Sequence, residues 1–142
     1  MKITVIAVGR LKEPAARRLA DDYLVRIRRF VRCEELEVRN DAALARAIPG
    51  DARVVALEVA GRSMSSRVFA RRLAAWSSQG KGHTAFLIGG ADGIPPEVSG
   101  AAHEQVSLSA MTLPHQLARV VLLEQIYRAN TILNNTPYAR EG

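Results

Sequence analysis

The chain has 142 residues, 48% hydrophobic and 24% charged, enough for one ordinary globular domain and too apolar for a disordered segment. No apolar run reaches the roughly 18 residues of a bilayer crossing, and the single cysteine, Cys33, excludes an internal disulfide and a cysteine-based zinc site. The net charge is +6, carried almost entirely by arginine, with 12 Lys/Arg against 8 Asp/Glu in residues 1–53 and 8 against 6 in residues 54–142, so a polyanionic partner is one reading and an arginine-rich proteome the other.

The first segment, Lys2–Val8 (KITVIAV), is β-branched and apolar on both faces, as in a strand buried within a parallel sheet. It is too short for the apolar core of a signal peptide and no small-residue cleavage site follows, so a cytoplasmic protein is expected. Leu19, Tyr23, Ile27, Phe30 and Val31 recur at helical spacing and predict an amphipathic helix over Pro14–Val31, with Pro14 in its first turn. Arg17, Arg18, Arg26, Arg28, Arg29 and Arg32 ring its other faces. They form either a solvated surface partly paired with Asp21 and Asp22 or a contact surface for RNA phosphates.

Glu34–Arg39 alternates and predicts a half-buried strand near a sheet edge. A short helix over Asp41–Ile48 stops at Pro49-Gly50. Arg53–Val59 is another apolar strand. Ser65 or Ser66 caps a helix through about Trp76, with Val68, Phe69, Leu73 and Trp76 inward. At that spacing the lone tryptophan reads as core and not as a stacking platform for a base.

Thr84–Ile88 is a short apolar strand running into Gly89-Gly90-Ala91-Asp92-Gly93. Gln105–Ser109 is another, running into Ala110-Met111-Thr112-Leu113-Pro114-His115. The alternation of strands and helices predicts an α/β fold with a mainly parallel sheet and flanking helices. In such a sheet both loops lie at the carboxyl edge, where ligands bind. The glycine loop lets a backbone approach a ligand closely. It matches neither a dinucleotide fingerprint nor a P-loop. The Leu108–Leu113 segment is nearly apolar with two hydroxyls. It suits an adenine ring surrounded by methyl groups, with main-chain groups at the base edge, and predicts a nucleoside-like ligand without phosphates.

The last helix, about Pro114–Asn130, is apolar on more than one stripe. A helix of that kind is covered on two sides, and the second cover is expected to be another subunit, in a two-fold dimer with this helix in the interface; a helix sandwiched within one chain is the alternative. Glu124 and Arg128 form an i,i+4 pair. His83, His103 and His115 stand apart with no partner at metal-ligand spacing. His115 lies beside the expected site and is a candidate ligand contact; the other two read as surface residues.

LIGGADG, LSAMTLPHQLARVVLLEQIYRA and the C-terminal NTPYAREG closely resemble the RlmH family, small SPOUT-class methyltransferases acting on pseudouridine in large-subunit ribosomal RNA. The opening MKITVIAVGRLKE resembles the family's first strand, so the similarity spans the chain. The resemblance implies a single domain over residues 1–142 whose C-terminal part, about 84–142, forms a trefoil knot. It implies S-adenosylmethionine as methyl donor, without a metal. Carried onto this sequence, the donor contacts are Leu57, Gly89, Leu108, Ser109, Ala110, Met111, Thr112 and Leu113. It further implies a homodimer and, as acceptor, N3 of a pseudouridine in helix 69 of 23S rRNA, in the large subunit or assembled ribosome.

Family members commonly end in something like HPYHRE, whereas here Thr136 and Ala139 replace both histidines. Tyr138 and Arg140 remain as candidates for acceptor binding and charge stabilisation, with Glu141 a possible base and His115 a weaker one. The region between Arg39 and Arg53 is also shorter than in longer members. A SPOUT methyltransferase for another RNA such as tRNA, a non-catalytic ribosome- or RNA-binding module, and a nucleotide-binding α/β protein are the other readings.

Overall fold

In the computed structural model, which describes residues 1–141 except the side chains of Arg140 and Glu141, strands and helices alternate along the chain. They are β1 (Lys2–Val8), α1 (Pro14–Ile27), β2 (Arg32–Val38), α2 (Asp41–Ala47), β3 (Arg53–Ser63), α3 (Ser66–Gln79), β4 (His83–Ile88), α4 (Pro96–Ala101), β5 (Glu104–Ser107) and α5 (His115–Leu133). A 3-10 helix, Pro137–Glu141, follows. The sheet order is β2-β1-β4-β3-β5 and every pairing is parallel.

Side-chain alternation divides the core in two. Ile3, Val5 and Ala7 of β1, Val55 of β3 and Phe86 and Ile88 of β4 pack under α1, α3 and α5. Ile6, Val54, Ala56 and Leu87 pack on the other side with Leu44 of α2 and Ile94. Strands apolar on both faces are thus covered by helices on both faces, as a parallel sheet requires. β2 lies at an edge with Glu34 and Leu36 exposed, which fits its alternating sequence. Trp76 is 1% exposed and meets Phe69 and Phe86 edge-on at 5.9 and 6.1 Å.

Three expectations change. The core-facing stripe of α1 is Ala20, Leu24 and Ile27, while Leu19 is 50% exposed. The helix ends at Ile27, and the N–H groups of Phe30 and Val31 both return to the Ile27 carbonyl. That turn brings Arg32 level with Lys2, where β2 begins pairing with β1. β3 extends to Ser63, not Val59, through an irregularity in which Val106 lies opposite both Leu57 and Arg62. Gly61 runs so close to β5 that a Cβ there would come within 2.8 Å of the Gln105 and Val106 backbone. β5 stops at Ser107 because the hydroxyls close a turn. Ser107 Oγ donates to the Ser109 carbonyl at 2.8 Å, and the Met111 N–H donates to Ser109 Oγ at 3.0 Å.

Candidate active site

β3, β4 and β5 are neighbours in the sheet, so their carboxyl ends open onto one place. A cavity of about 630 Å³ lies there. One wall is Leu57, Glu58 and Val59. A second is Ile88 with the glycine loop, and the third runs from Ser107 through Leu108, Ser109, Met111, Thr112, Leu113 and Pro114 to His115 and Ala118. Glu58 and His115 are the only ionisable side chains on these walls among the described residues. Orientation of a ligand must therefore come largely from main-chain N–H and C=O groups, with aliphatic contact for an apolar ring.

The glycine loop folds back on itself. The Gly93 N–H donates to the Gly90 carbonyl at 3.0 Å, and Gly93 has φ +81°, a left-handed conformation suited to glycine. A Cβ on Gly89 would meet the Gly93 carbonyl carbon at 2.3 Å. The third wall is held by the first turns of α5. Gln116 Oε1 accepts from the Lys12 and Glu13 N–H groups at 3.1 and 2.9 Å. Arg119, with its side chain 2% exposed, donates to the Gly9 carbonyl at 3.0 Å and to Glu35 at 3.2 Å, and also pairs with Glu37. Burial pushes the Glu37 carboxyl upward, but the Leu11 N–H and the Arg119 and Arg17 guanidiniums outweigh it and hold the group below its ordinary value.

Of the residues expected to contact a donor, Leu57, Gly89, Leu108, Ser109, Met111, Thr112 and Leu113 line this cavity, as does His115. Ala110 is exposed in the same loop and not on the wall. Glu58, Val59 and Ala118 join the lining without a signal in the sequence. Glu58 and Val59 begin the irregular part of β3, which the apolar pattern does not reveal.

The tail residues lie elsewhere. Tyr138 packs back on α5: its hydroxyl donates to Glu124 Oε2 at 2.7 Å and its ring meets Tyr127 edge-on at 4.6 Å. The Arg128 guanidinium lies 5.0 Å from the Tyr138 ring centroid and pairs with Glu124 at 2.8 Å. Burial and the Glu124 carboxylate raise the phenol above its ordinary value, so at neutral pH Tyr138 is a donor and not a base. The side chains of Arg140 and Glu141 fall outside the described residues. His83 Nε2 meets Thr4 Oγ1 at 2.8 Å, and His103 Nδ1 accepts from the Val54 N–H at 2.8 Å. Both join strands at the amino edge of the sheet, a structural role beyond the surface one expected of them.

A family model described as a predicted SPOUT methyltransferase matches residues 1–139. The chain belongs to the SPOUT methyltransferase family. Among curated SPOUT relatives, it is 51% identical to the ribosomal RNA large subunit methyltransferase H of Sorangium cellulosum, over 98% of this chain and 99% of that protein. It is 42% identical to the protein of the same name from Bradyrhizobium diazoefficiens, over 99% of each. These relatives bear out the resemblance to the RlmH family. Solved structures share the fold at low identity. A probable methylase family protein from Haemophilus influenzae aligns with a TM-score of 0.61 at 14% identity, covering 94% of this chain and 68% of that one. TrmJ from Z. mobilis aligns with a TM-score of 0.61 at 13% identity, covering 92% and 70%.

Proposed function

We propose that this SPOUT methyltransferase transfers a methyl group from S-adenosylmethionine to N3 of a pseudouridine in helix 69 of large-subunit ribosomal RNA, on the large subunit or assembled ribosome. The observation that carries the reading is the cavity at the ends of β3, β4 and β5. Its aliphatic, main-chain-rich walls suit an uncharged adenosine moiety, in a chain half identical to a protein named as a large-subunit rRNA methyltransferase.

When bound, S-adenosylmethionine supplies an electrophilic methyl group. The residues of the chain do the rest. The Leu108–Leu113 segment and Leu57 flank the apolar ring, and the glycine loop lets the backbone approach. Holding acceptor nitrogen and methyl carbon in line supplies much of the acceleration, since well-oriented reactions reach effective molarities of about 10⁵–10⁸ M. The N3 proton must also leave, because a neutral imide nitrogen is a poor nucleophile.

Arg140 and Tyr138 are proposed to bind the acceptor and stabilise the imide anion, with Glu141 as a possible base and His115, on the cavity wall, as a weaker one. Among the described residues, none beyond Ala118 lines the cavity of its own chain. Tyr138 is held beside Glu124 and Arg128, nine and thirteen residues along α5 from His115, or about 14–20 Å at 1.5 Å per residue. This supports a homodimer in which the tail of one subunit completes the acceptor site of the other. The trefoil knot expected over about 84–142 is part of the same proposal.

The test is transfer of labelled methyl from S-adenosylmethionine to ribosomes lacking the modification, with assembled ribosomes, free large subunits and naked RNA compared and the product mapped. Transfer to one pseudouridine is expected. Transfer to tRNA alone, or donor binding with no transfer to any ribosomal particle, overturns the reading.

A further inference from the structure

The cations of the chain are distributed unevenly once their partners are counted. On α1, Arg17 pairs with Asp21, Glu35 and Glu37 and Arg26 pairs with Asp22 at 3.1 Å, and just past its end Arg28 donates to the Cys33 carbonyl at 2.9 Å. Half of the arginine ring around α1 is therefore neutralised or committed within the protein. The stretch from Val59 to Ala91 is different. It holds five cations and no Asp or Glu, a local charge of +5 against +6 for the whole chain.

Three of those five share one region and are exposed. Arg62 lies on the extension of β3, and Arg67 and Arg71 lie one turn apart on α3. None of the three makes an ion pair among the described residues. Met64, Ser65 and Ser66, which join the β3 extension to α3, border a small cleft whose other walls include Ser107 and Leu108. The same two residues line the donor cavity. The unpaired arginines thus flank a surface continuous with the site of chemistry.

We infer that the β3 extension and the first two turns of α3, through Arg62, Arg67 and Arg71, form the docking surface for the phosphate backbone of the RNA acceptor. This inference rests on the proposed RNA methyltransferase reading. Guanidinium groups suit phosphate oxygens through paired donors. The absence of any carboxylate in that stretch leaves their charge available for counterion release. The paired arginines of α1, Arg17 and Arg26, contribute less, although α1 carries as many cations as α3.

The test measures affinity for large ribosomal subunits and for protein-free large-subunit RNA at several salt concentrations. It compares the unaltered chain with two triple variants, Arg62→Gln/Arg67→Gln/Arg71→Gln and Arg18→Gln/Arg29→Gln/Arg32→Gln. Removing three phosphate contacts should lower the slope of log affinity against log salt by about 2–3. The α3 variant should show that change and bind RNA about tenfold or more weakly at moderate salt, while S-adenosylmethionine affinity, which also reports a folded protein, stays unchanged. The corresponding triple lysine variant at the α3 positions should keep the slope.

An unchanged slope in the α3 variant, or an equal loss in the α1 variant, overturns the inference. So does loss of slope in the lysine variant, or a change seen only on protein-containing particles, which would assign the surface to an acidic protein. If the unaltered chain binds RNA through this surface but transfers no methyl group, the docking inference stands and the proposed activity falls. If transfer is normal and the α3 variant binds RNA as the unaltered chain does, the activity stands and the docking inference falls.

Discussion

The guanidinium of Arg119, buried on α5, is paired with the carboxylate of Glu37 on the edge strand β2. One contact ties together the helix that follows the cavity loop and the strand farthest from the cavity. Glu35, with its side chain 8% exposed, shares the same guanidinium. Replacing Arg119 by Ala would leave the two carboxylates with only the half-buried Arg17 guanidinium, which is also shared with Asp21. Loss of one partner of a buried pair typically costs about 3–5 kcal/mol, so Arg119→Ala should unfold at markedly lower urea concentration. Adding Glu37→Gln to it should recover part of the loss. No recovery in the double variant would contradict the pairing.

The acid limb of stability should carry the signature of Glu37. Its folded value lies below the free value of 4.5, so the unfolded chain binds the proton more readily. The stabilisation is complete above that free value and is lost as pH falls through the folded one. His83 adds a second, milder component. Burial and then Lys2 lower its value from 6.5, so its contribution is full above 6.5 and declines as pH falls toward the folded value. Urea midpoints measured between about pH 3 and 7 should decline in both windows, and Glu37→Gln should flatten the lower one.

Gly89 tests the glycine loop directly. A Cβ would stand 2.3 Å from the Gly93 carbonyl carbon, far inside any tolerated contact, so Gly89→Ala must open the loop. Calorimetric titration with S-adenosylmethionine should show at least about a tenfold loss of affinity, or 1.4 kcal/mol. Retained affinity would remove the loop from the donor site.

Leu113 tests the opposite wall. It is partly buried beside the cavity, and a carboxylate there would have to be desolvated by a bound adenine ring. Leu113→Asp should lose measurable donor binding by the same titration while keeping the unfolding free energy within about 1 kcal/mol of the parent, as expected away from the packed core.

Arg140→Ala tests the division of labour between cavity and tail. Methyl transfer should fall with donor affinity nearly unchanged, by single-turnover assay and titration side by side. Loss of both together would sink the assignment.

Much of this architecture can be read from residue order because the strands are short, apolar and separated by helices. KITVIAV can hardly be anything but a strand covered on both sides. The two loops at the carboxyl edge are legible for the same reason: each follows an apolar strand with residues that stop it. What escapes is nonlocal. A period of 3.6 finds stripes on α1 but does not say which one faces the sheet, so it sets Leu19 inward and passes over Ala20 and Leu24. The β3 extension is polar and rich in small residues, and it pairs only because β5 lies against Gly61. Arg119 reads as an ordinary helical arginine, since the carboxylate that makes it a core residue, Glu35, is 84 positions away in sequence.

The helices on the two faces of the sheet differ in anchorage. α3 and α5 each bury several large side chains, whereas α4 has six residues, none of them fully buried, and no side-chain cap at its start. Val98 packs against the smaller core, and Gln105 Nε2 donates to the carbonyls of Ser99 and Ala102 at 2.7 and 3.3 Å. Segments with few buried contacts open locally at a small fraction of the global unfolding cost. The amides of α4 should therefore exchange with deuterium long before those of β1 or β4. Because α4 joins the glycine loop to β5, its opening loosens one wall of the cavity while the sheet stays closed. The dynamics of that wall are therefore set by a six-residue helix and not by the stability of the protein.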